Sequence, residues 1–165
     1  MGEDAAQRVA ATRDRAHDTT AARVLAAGRD WRLADYVCCA GPGDRRFEER
    51  HDSFTIAAVV EGTFMYRSDT GSALMHPGAV LLGNHGACFE CGHDHGIGDR
   101  CIALQVDCDV FAEVASSAAG SEQWRFPVGM LPSSMALNPW LVKFFADPMS
   151  AAWAKTEPLD ADASV

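Results

Sequence analysis

Between Trp31 and Asp107 the chain is a succession of short apolar runs, each halted by Gly, Pro, Asn or Asp. "WRLADYVCCA" ends at "GPGD", "FTIAAVVEG" leads into "TFMYRSDTGSALM", and "HPGAVLLGN" and "CIALQVD" follow. Short runs broken at near-regular intervals suit strands. They predict a mainly β fold, an antiparallel sandwich or barrel of jelly-roll type. The spacing places strands near 33–39, 54–60, 63–67, 72–76, 79–82, 87–90 and 101–107, with "SDTGS" as a hairpin turn.

The flanks read differently. "DTTAARVLAAG" has a cap candidate in Asp18 or Thr19 and a terminator in Gly28, so a short helix is expected there, behind a variable tail over 1–17. Beyond Asp107, Asp109 can cap a helix in which Val110, Phe111, Val114 and Ala118 recur at helical spacing. Asn138 followed by Pro139 marks a second helix start, with Trp140, Leu141, Phe144 and Phe145 on one apolar face. Pro148 interrupts this helix or starts another that Trp153 completes. The expected organisation is a tail and short helix over 1–30, a β-barrel over 31–108 and a helical segment over 109–165. The aromatic face of the last segment would bury itself against a second copy of the chain, against the barrel, or both.

A chain of 165 residues, 48% apolar, is one domain's worth of sequence with a proper core. Its net charge of −9 opposes contact with nucleic acid or anionic lipid. No apolar run suits a secretory signal or a membrane span, so a cytoplasmic location is expected. In that reducing setting six cysteines favour metal binding or a reactive thiol over disulfides. Cys38, Cys39 and Cys108, lying in or beside apolar runs, are expected to pack as small hydrophobes.

The densest chemistry is "CFECGHDHGIGDRC", residues 88–101. Cys91, His93, His95 and Cys101 have the composition of a closed tetrahedral zinc site. Positions 91, 93 and 95 share a face if the segment is extended, and Gly92 and Gly96 permit tight turns. His51, Cys88 and His85 are substitute donors. The competing reading is a polar hairpin whose histidines bond acids such as Asp94 and Asp99. Arg67 and Arg100 are expected to pair with Asp69 and Asp99.

"EERH", "GTFMYRSDTG", "PGAVLLGN" and "FECGHDHGIGDRC" together resemble the N-terminal sensor domain of AraC-type transcriptional regulators. The resemblance covers roughly residues 31–115. It implies a cupin barrel that binds a small-molecule effector, helices that form a homodimer, and a C-terminal module of two helix-turn-helix motifs. The residues after Asp107 are too few for that module, and over 109–165 three cations face seven carboxylates. No nucleic acid is therefore expected to bind this chain itself. It reads as a fragment of a regulator or as a stand-alone sensor. Against the metal-ligand pattern of cupin enzymes, Glu49 and His51 occupy the first pair, while Thr55 and Leu81 stand where a carboxylate and a histidine are usual. An enzyme is not expected. Glu49 and His51, of like parity, are expected to face the cavity and bind the effector, with Arg46 and Arg50 beside them.

Overall fold

The structure, a computed structural model, describes residues 20–121, 124–139 and 141. Its elements run β1 (Thr20–Ala27), β2 (Trp31–Cys38), β3 (Phe47–Arg50), β4 (Phe54–Gly62), β5 (Phe64–Ser68) and β6 (Gly71–Met75). After these come β7 (Val80–Gly83), β8 (Cys88–Gly92), β9 (Asp99–Val106), α1 (Cys108–Ala119) and the short β10 (Met130–Leu131).

The strands form two sheets, ordered β1-β2-β9-β4-β7-β10 and β3-β8-β5-β6. Within them β2 pairs with β9, β3 with β8, β4 with β7 and β5 with β6. Nested antiparallel pairing of this kind is one long hairpin rolled into a barrel, which is a jelly roll. Its innermost turn is tight, with Ser68 opposite Gly71.

Alternation along the strands fills the barrel. Ala57 and Val59 of β4, Phe64 and Tyr66 of β5, Met75 of β6, Leu81 of β7, Cys91 of β8 and Cys101 and Ala103 of β9 form one buried cluster. The opposite face of the six-stranded sheet carries a second, where Val80 and Leu82 meet Phe126, Phe54, Phe111 and Trp124. Phe54 and Phe111 stack with ring centroids 3.7 Å apart, which docks α1 on the outside of the barrel. Among the described residues no helix is long and apolar enough to cross a membrane.

Three expectations about elements need correction. Residues 20–27 form strand β1, not a helix, in register with β2 from Thr20 opposite Cys38 to Ala27 opposite Arg32. Helix propensity is worth only tenths of a kcal/mol per residue, and a ladder against an available sheet edge outweighs it. Strand β3, over "FEER", has no apolar alternation and was not expected. Helix α1 begins one residue before Asp109. Asp107 is its N-cap and accepts from the Asp109 amide at 3.1 Å, and Gly120, at φ 71°, closes the helix. The chain turns helical again at Asn138, where expected. Residues 1–19, and with them the expected tail, lie outside the described residues, as do Trp140, Phe144, Phe145, Pro148 and Trp153, on which the expected second helix and its continuation rested.

The expected ion pairs also fall differently. Arg67 bonds Glu90 at 2.7 Å, and Asp69 receives Arg125 at 2.9 Å. Arg100 donates twice to buried Asp35, at 2.9 and 3.0 Å, and Arg23 of β1 adds a third bond at 3.2 Å. Arg100 beside it holds the Asp35 carboxyl below its usual value. Asp35→Ala is expected to cost about 1–2 kcal/mol and to loosen the β1 edge. Urea denaturation reads the first effect, and faster amide exchange over residues 20–27 the second.

Candidate functional site

The inward faces of β2, β9, β4 and β7 end in a row of unusual residues. Arg32 lies opposite Gln105, Gln105 opposite Thr55, and Thr55 opposite Gly83. Arg32 donates from Nε and Nη2 to Gln105 Oε1 at 2.9 and 2.6 Å, and the Tyr36 hydroxyl reaches the same oxygen at 3.0 Å. Residues directly opposite in adjacent strands have Cβ atoms roughly 5 Å apart, so this row is one continuous surface.

The His51 imidazole covers the Gly83 end of the row. A Cβ on Gly83 would come within 2.5 Å of the ring, so only glycine leaves the space that the imidazole occupies. Backbone bonds to Ala87 (3.0 Å) and from Gly86 (2.8 Å) fix His51 against the turn after β7. Its ring stacks on Phe89 at 4.2 Å, and Nε2 lies 2.9 Å from the Tyr66 hydroxyl. Burial holds the His51 pKa down to about 4 against the opposing pull of Asp52 and Asp69. Burial also pushes the Tyr66 phenol up to about 12. At neutral pH both groups are therefore uncharged, a hydrogen-bonded pair inside an aromatic wall.

Thr55 stands beside them, 6% exposed. Among the described residues its Oγ1 is the one buried side-chain polar atom without a hydrogen-bond partner. Burying a hydroxyl unpaired costs about 1–3 kcal/mol, so a partner there is strongly favoured. Glu49 lies opposite Phe89 and hence on the same face, but its side chain is exposed. Of the expected pair, His51 is thus buried inside the barrel end and Glu49 stands at its rim.

The other end of β2 and β9 carries the thiols. Cys38 pairs across strands with Asp99, and the His93 Nε2 lies 2.6 Å from Asp99 Oδ1. Donor atoms of Cys38, His93 and Asp99 all fall within 4.8 Å of one another. The Cys101 thiol donates to Asp99 Oδ2 at 3.4 Å. Burial raises the thiol pKa values of Cys38, Cys91 and Cys101, so these cysteines are protonated as they stand.

The expected quartet is therefore divided. His93 and Cys101 gather around Asp99. Cys91 belongs to the barrel core, and His95 is exposed. The physical reason is that β8 ends at Gly92, so extended alternation stops before it can bring residue 95 to the face of 91. Asp94 turns outward to Arg46 at 2.5 Å. Cys38, expected to pack, is buried but within reach of His93 and Asp99, whereas Cys39 is exposed and Cys108 half-buried. Gln105, Arg32 and Tyr66 carried no signal of their own as site residues, and Thr55 was read only as a departure from the ligand pattern of cupin enzymes. Strand parity could have turned them inward, but the register that makes them neighbours is not written locally.

Neither a family model nor a curated protein matches the chain in sequence. Solved structures of similar fold include a cupin superfamily protein from Desulfitobacterium hafniense, with 12% identity over 53% of this chain and 77% of that one and a TM-score of 0.45. The cupin domain of Schizosaccharomyces pombe Cnp3 is 8% identical over 59% of this chain and 72% of its own, with a TM-score of 0.49. The Cupin_2 domain of an XRE family transcriptional regulator from Enterobacter cloacae is 10% identical over 52% and 94%, with a TM-score of 0.44. At these identities the likeness is one of fold.

Proposed function

We propose that the chain is the effector-sensing and dimerisation domain of an AraC-like transcriptional regulator, acting in the cytoplasm. Its effector is a small polar organic molecule held at the Arg32–Thr55 end of the barrel. The observation that carries this reading is the buried, unpartnered Thr55 hydroxyl, set in a row with Gln105 and beside the neutral His51–Tyr66 pair. The chemistry of the row selects the ligand class. Arg32 suits a carboxylate or other anionic group, Thr55 and Gln105 suit a hydroxyl or amide, and Phe89 offers an apolar face.

Binding fits these residues better than turnover. Of the positions where a cupin enzyme would carry metal ligands, Thr55 is a weak donor and Leu81 is packed in the core. Homodimerisation belongs to the same proposal, with Val114 and Met135 leaving apolar surface exposed on and beyond α1.

The test is a thermal-shift screen of small carboxylates and polar aromatics, with calorimetry on any molecule that raises the midpoint. Thr55→Val removes the hydroxyl at constant shape. It is expected to stabilise the ligand-free chain by about 1 kcal/mol while weakening the effector roughly tenfold. Arg32→Ala should weaken it comparably. Unchanged affinity in both variants, or a Thr55→Val chain no more stable than the parent, would remove the site from this end of the barrel.

A further inference from the structure

We infer that the opposite end of the barrel holds a soft divalent metal ion, zinc first, on Cys38, His93 and Asp99, with Cys101 as the fourth donor. The donors come from the end of β2, the turn after β8 and the start of β9. Their ligating atoms already lie within 4.8 Å of one another before any ion is placed among them. In a tetrahedral zinc site, bond lengths of about 2.0–2.3 Å put neighbouring donors roughly 3.3–3.8 Å apart. Side-chain movements of roughly 1–1.5 Å close the widest of these gaps. His93 and Asp99 are at 2.6 Å and need only separate slightly. Cys101 Sγ lies 3.4 Å from Asp99 Oδ2 but outside the group formed by Cys38, His93 and Asp99, so it completes the site by turning its side chain toward them.

Two further features suit this group to an ion. The Ala40 amide donates to Cys38 Sγ at 3.5 Å, a backbone bond that steadies a sulfur carrying negative charge. The His93 side chain is 2% exposed and that of Asp99 11%, so the site is closed to solvent. Two sulfurs, one imidazole nitrogen and one carboxylate oxygen select zinc over calcium or magnesium, which take oxygen ligands. A closed four-donor site braces structure rather than binding substrate. Here it would tie β2 to β9 and anchor the Cys/His loop, at the end of the barrel away from Arg32 and Thr55.

The experiment uses the full chain, purified without a metal-affinity tag, stripped with chelator and titrated with cobalt(II), then with zinc(II) in competition. One cobalt per chain is expected, with a thiolate-to-cobalt charge-transfer band and the visible bands of tetrahedral cobalt. Cys38→Ser and His93→Ala should weaken binding by more than the roughly 10–100-fold that outer-shell changes cost. Cys91→Ser and His95→Ala should leave the spectrum unchanged. Far-ultraviolet circular dichroism checks each variant, and Asp99→Asn, which keeps the carboxyl's shape, replaces any variant that fails to fold. No cobalt uptake by the folded parent would overturn the inference, as would bands that survive Cys38→Ser and His93→Ala. Loss of binding in His95→Ala would also overturn it, placing the ion in the exposed loop. Thr55→Val should bind cobalt like the parent, so this site and the effector site can fail separately.

Discussion

Gly62→Ala is expected to destabilise the protein by about 3–4 kcal/mol, with the urea midpoint falling at constant m-value. Gly62 sits at φ 77°, where an L side chain costs about 1–2 kcal/mol. A Cβ there would overlap the Gly98 carbonyl oxygen and come within 2.7 Å of the Asp99 Cα. Both are backbone atoms, so no rotamer change relieves the contact, and overpacking adds about 1–3 kcal/mol. Gly86 is the control. It has nearly the same φ, 78°, with nothing within 4 Å of its added Cβ, so Gly86→Ala should cost only the conformational part, about 1–2 kcal/mol. Equal costs at the two glycines would mean that close approach of β4 to the start of β9 does not matter for stability.

Acidification is expected to remove about 2–3 kcal/mol of stability between pH 6.5 and 4, mostly through His51. Its folded pKa is about 4, below the ordinary 6.5 of an unfolded histidine. Between those values the unfolded chain binds the proton and the folded chain does not, so stability falls as pH falls through this window. Below about 4 both states are protonated and the loss stops growing. Asp35 acts lower on the scale. Its pKa is depressed, so its contribution is complete above 3.8 and disappears as pH drops further. Urea denaturation at pH 7, 5.5 and 4 measures the curve, and His51→Gln should flatten it over 6.5–4. A parent curve already flat there would show His51 to be hydrated and free to titrate.

Much of the barrel was legible because its strands are written in local alphabets. "FTIAAVVEG" and "FMYRS" alternate, and "SDTGS" turns, within a few residues of where β4, β5 and β6 are found. β1 was not legible, because "TAARVLAA" is helix-forming by composition and becomes a strand only against β2. The candidate sites lay between these extremes. His51, His93 and Cys101 were identifiable by residue type in a motif. Cys38 joins His93 only through the pairing of residue 38 with residue 99, and Thr55 meets Gln105 only through the pairing of β4 with β9. Register between strands so far apart in sequence is a property of the closed barrel.

Because the roll is nested, its pairs close at very different entropic cost. Ser68 needs to find a neighbour three residues away, whereas Arg32 must find Gln105 across 73. Loop-closure cost rises with that separation, so the β2–β9 pairing costs the chain more entropy to close than the innermost turn. Both polar ends are stitched across this seam, one at Arg32 and Gln105 and the other at Cys38 and Asp99. A molecule or ion held at either end would therefore bridge the pairing whose closure costs the chain most.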